Sequence, residues 1–225
     1  MNVTIISAFR NSVSYLERYF EQMDDLQASL MRRGDALQLT LGYGDSTDGT
    51  GAALFDECSH RFCAHLLDVS HGGPLFGSIE NAQRFKQLAF IGNRLLDNVP
   101  AEADVVGIVE SDLLWRAETL LSLIDHLAHV PAVAPMVMDG PESFYDVFAF
   151  RKNGVRFRKQ PPFHPWLGSD LVQLDSAGSV LLMRAELARK ARFNDEEVIV
   201  GLCKDIYAHG GAVWLDPMRA VQHGA

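Results

Sequence analysis

Two carboxylates one residue apart, Glu110 and Asp112, close the apolar run Val105–Val109. Side chains at i and i+2 of an extended chain share a face, and paired hard oxygen ligands suit Mg2+ or Mn2+. A cation held there would bridge a diphosphate and stabilise a departing nucleotide. Acids at strand ends also occur with no metal, so the pair takes its meaning from its surroundings. A second chemistry-bearing turn, Tyr43-Gly44-Asp45-Ser46-Thr47-Asp48-Gly49-Thr50, sets two acids, hydroxyls and a glycine ahead of a helix. Capping of free backbone N–H groups by Asp48 or Ser46 would by itself explain those residue types.

Other stretches offer weaker chemistry. Arg151, Lys152, Arg156, Arg158 and Lys159 place five cations and no acid in one short run, enough to attract a phosphate or an acidic acceptor, or to solvate a loop face. Phe163-His164-Pro165-Trp166 offers aromatic faces for a sugar ring or base, or for packing its own loop. His71-Gly72-Gly73-Pro74-Leu75-Phe76-Gly77 can fold over a ligand and exclude water, or simply connect two elements. Cys58, His60, Cys63 and His65 crowd four zinc-type ligands together, but no second cysteine pair follows and the run reads more simply as a helix end entering a strand. Three cysteines cannot all pair, which fits a reducing compartment.

The elements that must position these residues alternate. Apolar, β-branched runs at Val3–Phe9, Ala36–Tyr43, Ala64–Val69 and Asp104–Val109 are separated by helical patterns at Ser12–Arg33, Thr50–Glu57 and Ser78–Asn98. That is the signature of a mostly parallel sheet flanked by helices. A helix over Ala117–His129 and a strand over Ala132–Val137 follow. The second half is less regular, with strands expected at Phe144–Phe150, Gly178–Met183, Ala212–Leu215 and Arg219–Gln222, a Pro-rich loop at Gln160–Gly168 and a helix at Glu196–His209. In an open α/β sheet ligands gather beyond the carboxyl ends of the strands, and both acidic turns fall there.

A chain of 225 residues fits one domain, and 48% hydrophobic with 22% charged residues is an ordinary globular balance. The net charge of −9 disfavours broad adhesion to nucleic acid or anionic membrane. The N-terminus lacks a signal-peptide pattern and no run is long enough for a membrane span, so a cytoplasmic location is expected. No G-x-G-x-x-G follows the first strand and no G-x-x-x-x-G-K-[ST] occurs, which disfavours a dehydrogenase and excludes a P-loop enzyme. A nucleotidyltransferase would need a Gly-rich basic loop after the first strand, which here reads Ala8-Phe9-Arg10-Asn11.

Asp45-Ser46-Thr47-Asp48-Gly49-Thr50 resembles the D-x-S-x-D-G-T loop of family-two glycosyltransferases, and Glu110-Ser111-Asp112 resembles the D-x-D signature of GT-A enzymes, with Glu in the first position. The ending Trp214-Leu215-Asp216-Pro217, followed by Val221-Gln222-His223, resembles GT-A C-termini, in which the His closes the metal site. Stretches around Asn93, Phe144 to Arg151 and Glu196 to Asp205 look like fungal Golgi and capsule mannosyltransferases, which use a guanosine-diphosphate donor. The resemblance implies a single GT-A domain over residues 1–225, with a nucleotide-sugar half at 1–115 and an acceptor half at 116–225.

It further implies a metal-dependent transfer, with Mn2+ or Mg2+ on Asp112, Glu110 and His223 and a GDP- or UDP-sugar donor touched by Phe9, Arg10, Asp45, Asp48 and Asn93 as well as by Glu110 and Asp112. The acceptor, a saccharide or another hydroxyl with nucleic acid not favoured, would meet Asp146, Arg151 and Trp166. An inverting transfer needs a carboxylate within hydrogen-bond reach of the acceptor hydroxyl. Glu197 and Asp205 are the leading candidates, with Glu196 and Asp146 behind them. A helix dipole alone would also favour acids in a first turn. A GT-A-fold binding or scaffold subunit without turnover, or a nucleotidyltransferase, is the alternative.

Overall fold

The run Asn2–Phe9 forms β1 of the computed structural model, which describes residues 1–61, 64–77, 79–165 and 168–224. Val3 to Ser7 are all buried, the pattern of a strand covered on both faces. A short 3-10 turn at Val13–Tyr15 precedes α1 (Leu16–Arg32), so the helix proper starts later than its apolar pattern suggests. Leu16, Tyr19, Phe20, Met23, Leu26 and Leu30 make its buried stripe, and Gly34 at φ 76° ends it in the left-handed region.

The regular half continues through β2 (Ala36–Tyr43), α2 (Thr50–Ser59), β3 (Ala64–Asp68), α3 (Ala82–Leu96) and β4 (Val105–Val109). α3 begins at Ala82 because the Asn81 side chain accepts the N–H groups of Gln83 and Arg84. β1 lies parallel between β2 and β4, and β3 extends the sheet on the far side of β2. Parallel neighbours need crossovers, and the helices supply them. At Gly107 a Cβ would lie 2.6 Å from Ile5 Cδ1, so the absent side chain lets β4 close on β1.

The second half comprises β5 (Leu113–Leu114), α4 (Ala117–His126), β6 (Ala132–Gly140), β7 (Ser143–Phe144), β8 (Arg151–Lys152), β9 (Val155–Arg156), β10 (Val172–Leu174), β11 (Val180–Arg184), α5 (Ala185–Ala188), α6 (Ile199–Ala208) and β12 (Val213–His223). The main sheet runs β10-β12-β6-β11-β4-β1-β2-β3, with β5 attached to β12 and β7 to β6. β11 is antiparallel to both neighbours, β4 and β6, whereas β12 runs parallel to β6. β8 and β9 form a separate hairpin.

Three expectations are corrected. The strand proposed over Phe144–Phe150 stops at Phe144, because the Asp146 carboxylate accepts the Ala149 N–H and folds the chain into a turn. The two C-terminal strands are one, with a bulge between Asp216 and Ala220 where Pro217 cannot donate to the ladder. α6 starts at Ile199 rather than Glu196, since Val198 takes φ 52°, a left-handed value costly for a β-branched residue.

Among the described residues no helix is long and apolar enough to cross a membrane. Cys203 is buried, its thiol pushed up to about 12 by burial, and Cys58 is partly buried. Cys63 of the zinc-like run lies outside the described residues.

Candidate functional site

β4 ends at the centre of the sheet, and the turn Glu110-Ser111-Asp112 is fixed there from several sides. Ser7 Oγ donates to Val109 O at 2.6 Å, Ser111 Oγ to Ala8 O at 2.9 Å, and Glu110 N–H to Ser179 O at 2.9 Å. The end of β1 and the start of β11 thus hold the acidic turn in place. β5 then pairs with the last residues of β12, with Leu113 opposite His223, so a residue at the far end of the chain comes to lie beside Asp112. His223 Nε2 and Asp112 Oδ2 are 3.1 Å apart, and the Tyr145 ring stacks on the imidazole at 3.4 Å with an 11° tilt.

Glu110, Asp112 and His223 each offer one ligand atom within 4.8 Å of the others. Two carboxylates and an imidazole are a donor set that a divalent cation accepts, the imidazole favouring a transition metal over Mg2+. The electrostatics agree. Glu110 is an exposed residue at the mouth of the cleft, yet protein packs densely around its carboxyl. This desolvation, with the charges of Asp146 and Asp112, raises its carboxyl to about 7 against the Ser179 hydrogen bond and His223. Burial acts to lower His223, but the hydrogen bond it donates to Asp112 and the charges of Asp112, Glu110 and Asp139 raise it overall. A site that crowds acids to this extent gains by exchanging protons for a cation.

Asp146 belongs to this centre as a neighbour. It is deeply placed, raised by burial against the Ala149 N–H, Ser179, His223 and Arg84, and its Oδ2 accepts from Ser179 Oγ at 3.0 Å. Gly178 gives it room: a Cβ there would sit 2.5 Å from Asp146 Oδ2 and 3.4 Å from Ile199 Cγ2. The entrance of α6 therefore packs beside the acidic centre, and Glu197 lies two residues before Ile199. Glu197 meets Arg151 at 3.7 Å and forms a close pair with Lys204.

The remaining expected residues are occupied within the fold. Phe9 is buried and packs edge-on against Tyr19 at 4.9 Å. Arg10 donates to the carbonyls of Asp45, Pro74 and Gly73 at 3.3, 3.2 and 2.8 Å. Asp45 accepts the N–H groups of His71 and Gly72, which hold its carboxyl below the usual range. Together they fasten the start of the 71–77 loop to the end of β2. Asp48 is lowered first by the Thr50 hydroxyl, at 2.6 Å, and also accepts the backbone N–H groups of Thr50 and Val13. Asn93 exchanges two hydrogen bonds with the Phe193 backbone, and Asp205 accepts the Arg192 N–H at 2.8 Å. Both sit late in helices that run away from the carboxyl edge, so the fold does not gather them with the acidic centre. Trp166 lies outside the described residues.

Three contributors escape a reading of the sequence. Ser179, at φ 57°, sits in a stretch with no motif of its own, and the resemblance carried by the stretch around Tyr145 gives that residue no role. Gln22 is the third: buried on α1, it donates to Leu113 O at 3.1 Å and accepts the Trp115 N–H at 2.7 Å, pinning β5 and with it the Asp112–His223 contact. Replacing it with Leu leaves a buried carbonyl and N–H unpaired, a loss of about 1–3 kcal/mol in a urea melt. Mn2+ affinity should weaken in the same variant, whereas unchanged stability and affinity would deny Gln22 this role.

No protein-family model matches the chain, and no curated protein matches it in sequence. Solved structures do match. A mannosyltransferase from Pyrobaculum calidifontis in complex with GDP-Man and Mn2+ aligns at a TM-score of 0.63 and 20% identity, over 98% of this chain and 56% of that one. GalNAc-T7 with UDP, GalNAc and Mn2+ aligns at 0.60 and 12%, over 99% and 44%. The chain spans about half the length of these structures. At such identities the likeness establishes the architecture: this is a GT-A fold, a single mixed α/β domain with a mostly parallel sheet flanked by helices.

Proposed function

We propose that the chain is a metal-dependent glycosyltransferase moving a sugar from a nucleoside-diphosphate sugar to an acceptor hydroxyl. The observation that carries this reading is the convergence of Glu110, Asp112 and His223 at the carboxyl end of β4 in a GT-A fold. Asp112 and His223, with Glu110 beside them, would hold Mn2+ or Mg2+, whose charge stabilises the departing nucleoside diphosphate. The donor would lie over the 1–115 half, within reach of the loop fastened by Arg10 and Asp45. The solved neighbours were obtained with GDP-Man or UDP and with Mn2+, which supports a GDP- or UDP-sugar donor here.

For an inverting transfer Glu197 is the base we assign, since Ile199 packs against Gly178 beside Asp146 and brings the α6 entrance to the centre. Val198, next in the chain, takes a left-handed φ of 52°, a conformation found most often at functional turns, which supports this reading. Calorimetric titration of GDP and UDP with and without Mn2+ tests the metal-dependent transferase reading. Tight binding of one nucleotide that needs Mn2+ and disappears with chelator is expected. Binding of neither would overturn it.

A further inference from the structure

Between the start of α3 and the 194–198 turn lies an open groove of about 520 Å3, walled by Glu80, Asn81, Phe85, Lys86, Asp195 and Glu196. Its wall leads toward Asp146, whose carboxyl feels the charge of Arg84, one residue before Phe85. Phe85 packs on Phe148 at 5.4 Å between ring centroids, two residues beyond Asp146, and Glu196 precedes Glu197.

Three cations of the 151–159 run are already engaged. Arg156 grips both Glu80 oxygens at 2.7 and 3.2 Å, Arg151 meets Glu197 at 3.7 Å, and Lys159 meets Asp139 at 3.1 Å. The guanidinium groups of Arg151 and Arg156 both lie over the Phe148 ring, at 5.6 and 5.2 Å, which ties the β8–β9 hairpin to the groove wall. Asp195 and Glu196, by contrast, are exposed and have no ion pair among the described residues. With Glu80 neutralised by Arg156, the lining that remains is two free carboxylates, the Lys86 ammonium, an amide and the Phe85 ring.

We infer that this groove receives the acceptor, and that the acceptor is an uncharged polyhydroxylated ring, not an acidic one. Free carboxylates accept hydrogen bonds from neighbouring hydroxyls and the ammonium donates one, so a neutral saccharide satisfies both signs of the lining. An anionic sugar or a nucleic acid would set its charge against Asp195 and Glu196 with Arg151 and Arg156 unavailable to compensate. The inference rests on the transferase reading above and assigns the acceptor side of the same site.

The test follows nucleoside-diphosphate release from GDP-mannose and UDP-glucose with Mn2+, in the presence of methyl mannoside, methyl glucoside or methyl glucuronide. A neutral glycoside is expected to accelerate release roughly tenfold more than the glucuronide, and Glu196→Lys to reverse that order. Circular dichroism confirms that the variant is folded, and the exposed charge reversal Asp195→Lys serves if it is not. Preference for the glucuronide by the native chain, no acceleration by any glycoside, or an order unchanged in the folded variant would each overturn the groove assignment. Mn2+-dependent nucleotide binding, measured on the same sample, separates the two levels: if it is missing, the transferase reading itself has failed.

Discussion

Asp112→Asn is expected to lower Mn2+-dependent transfer by on the order of 10²–10³-fold, the scale on which one charged contact to a developing leaving group acts. The substitution keeps the side chain's shape and removes its charge. Without metal the effects on stability oppose one another. The half-exposed pair with His223 is lost, which for a pair of this kind is worth no more than about 1 kcal/mol. The repulsion that Asp112 exerts on Glu110 disappears as well. The metal-free melting temperature should therefore stay close to that of the native chain, while the stabilisation by Mn2+ plus nucleotide collapses. A variant that melts much earlier and still binds would make Asp112 a structural residue. Native-like turnover would remove the metal centre from the mechanism.

The parts of this site that could be read from the sequence are those set by short-range periodicity. β4 is a continuous apolar run and β1 is buried along most of its length, as in strands covered on both faces, and Asp112 stands out because it closely follows such a run. α1 is legible from its stripe alone. What stayed hidden depends on partners distant in the chain. The Gly178–Met183 run reads as a strand, but nothing in it says that β11 enters antiparallel between β4 and β6. That insertion brings Ser179 to Glu110. Likewise, the cations at Arg151 and Arg156 look free in sequence because Glu80 and Glu197, which neutralise them, come from loops elsewhere in the chain. Asp48 has two readings in the sequence, ligand and cap, and its oxygens do cap Thr50 and receive the Val13 N–H.

Mn2+ binding should strengthen steeply between pH 6 and 7.5. A cation requires Glu110 ionised and His223 neutral, and the fold raises both groups, Glu110 to about 7. Glu110 alone then imposes a roughly tenfold gain in apparent affinity across that interval, and release of the His223 proton adds to it. The metal-free protein moves the other way. For a group whose folded pKa is raised, the stabilising contribution is complete below the unfolded value and is lost as pH climbs through the folded one. The Glu110 contribution therefore fades from its ordinary 4.5 to about 7, and that of His223 fades from 6.5 upward. Asp45 and Asp48 are lowered, so theirs persists above 3.8 and fails only in stronger acid, outside this window. Melting curves at pH 5.5, 6.5, 7.5 and 8.5, with and without Mn2+, should show a shift that grows with pH in the native chain and grows less in Glu110→Gln. A shift equal at every pH, in both proteins, would mean that the cation binds without displacing these protons and that the cluster of Glu110, Asp112 and His223 is not its site.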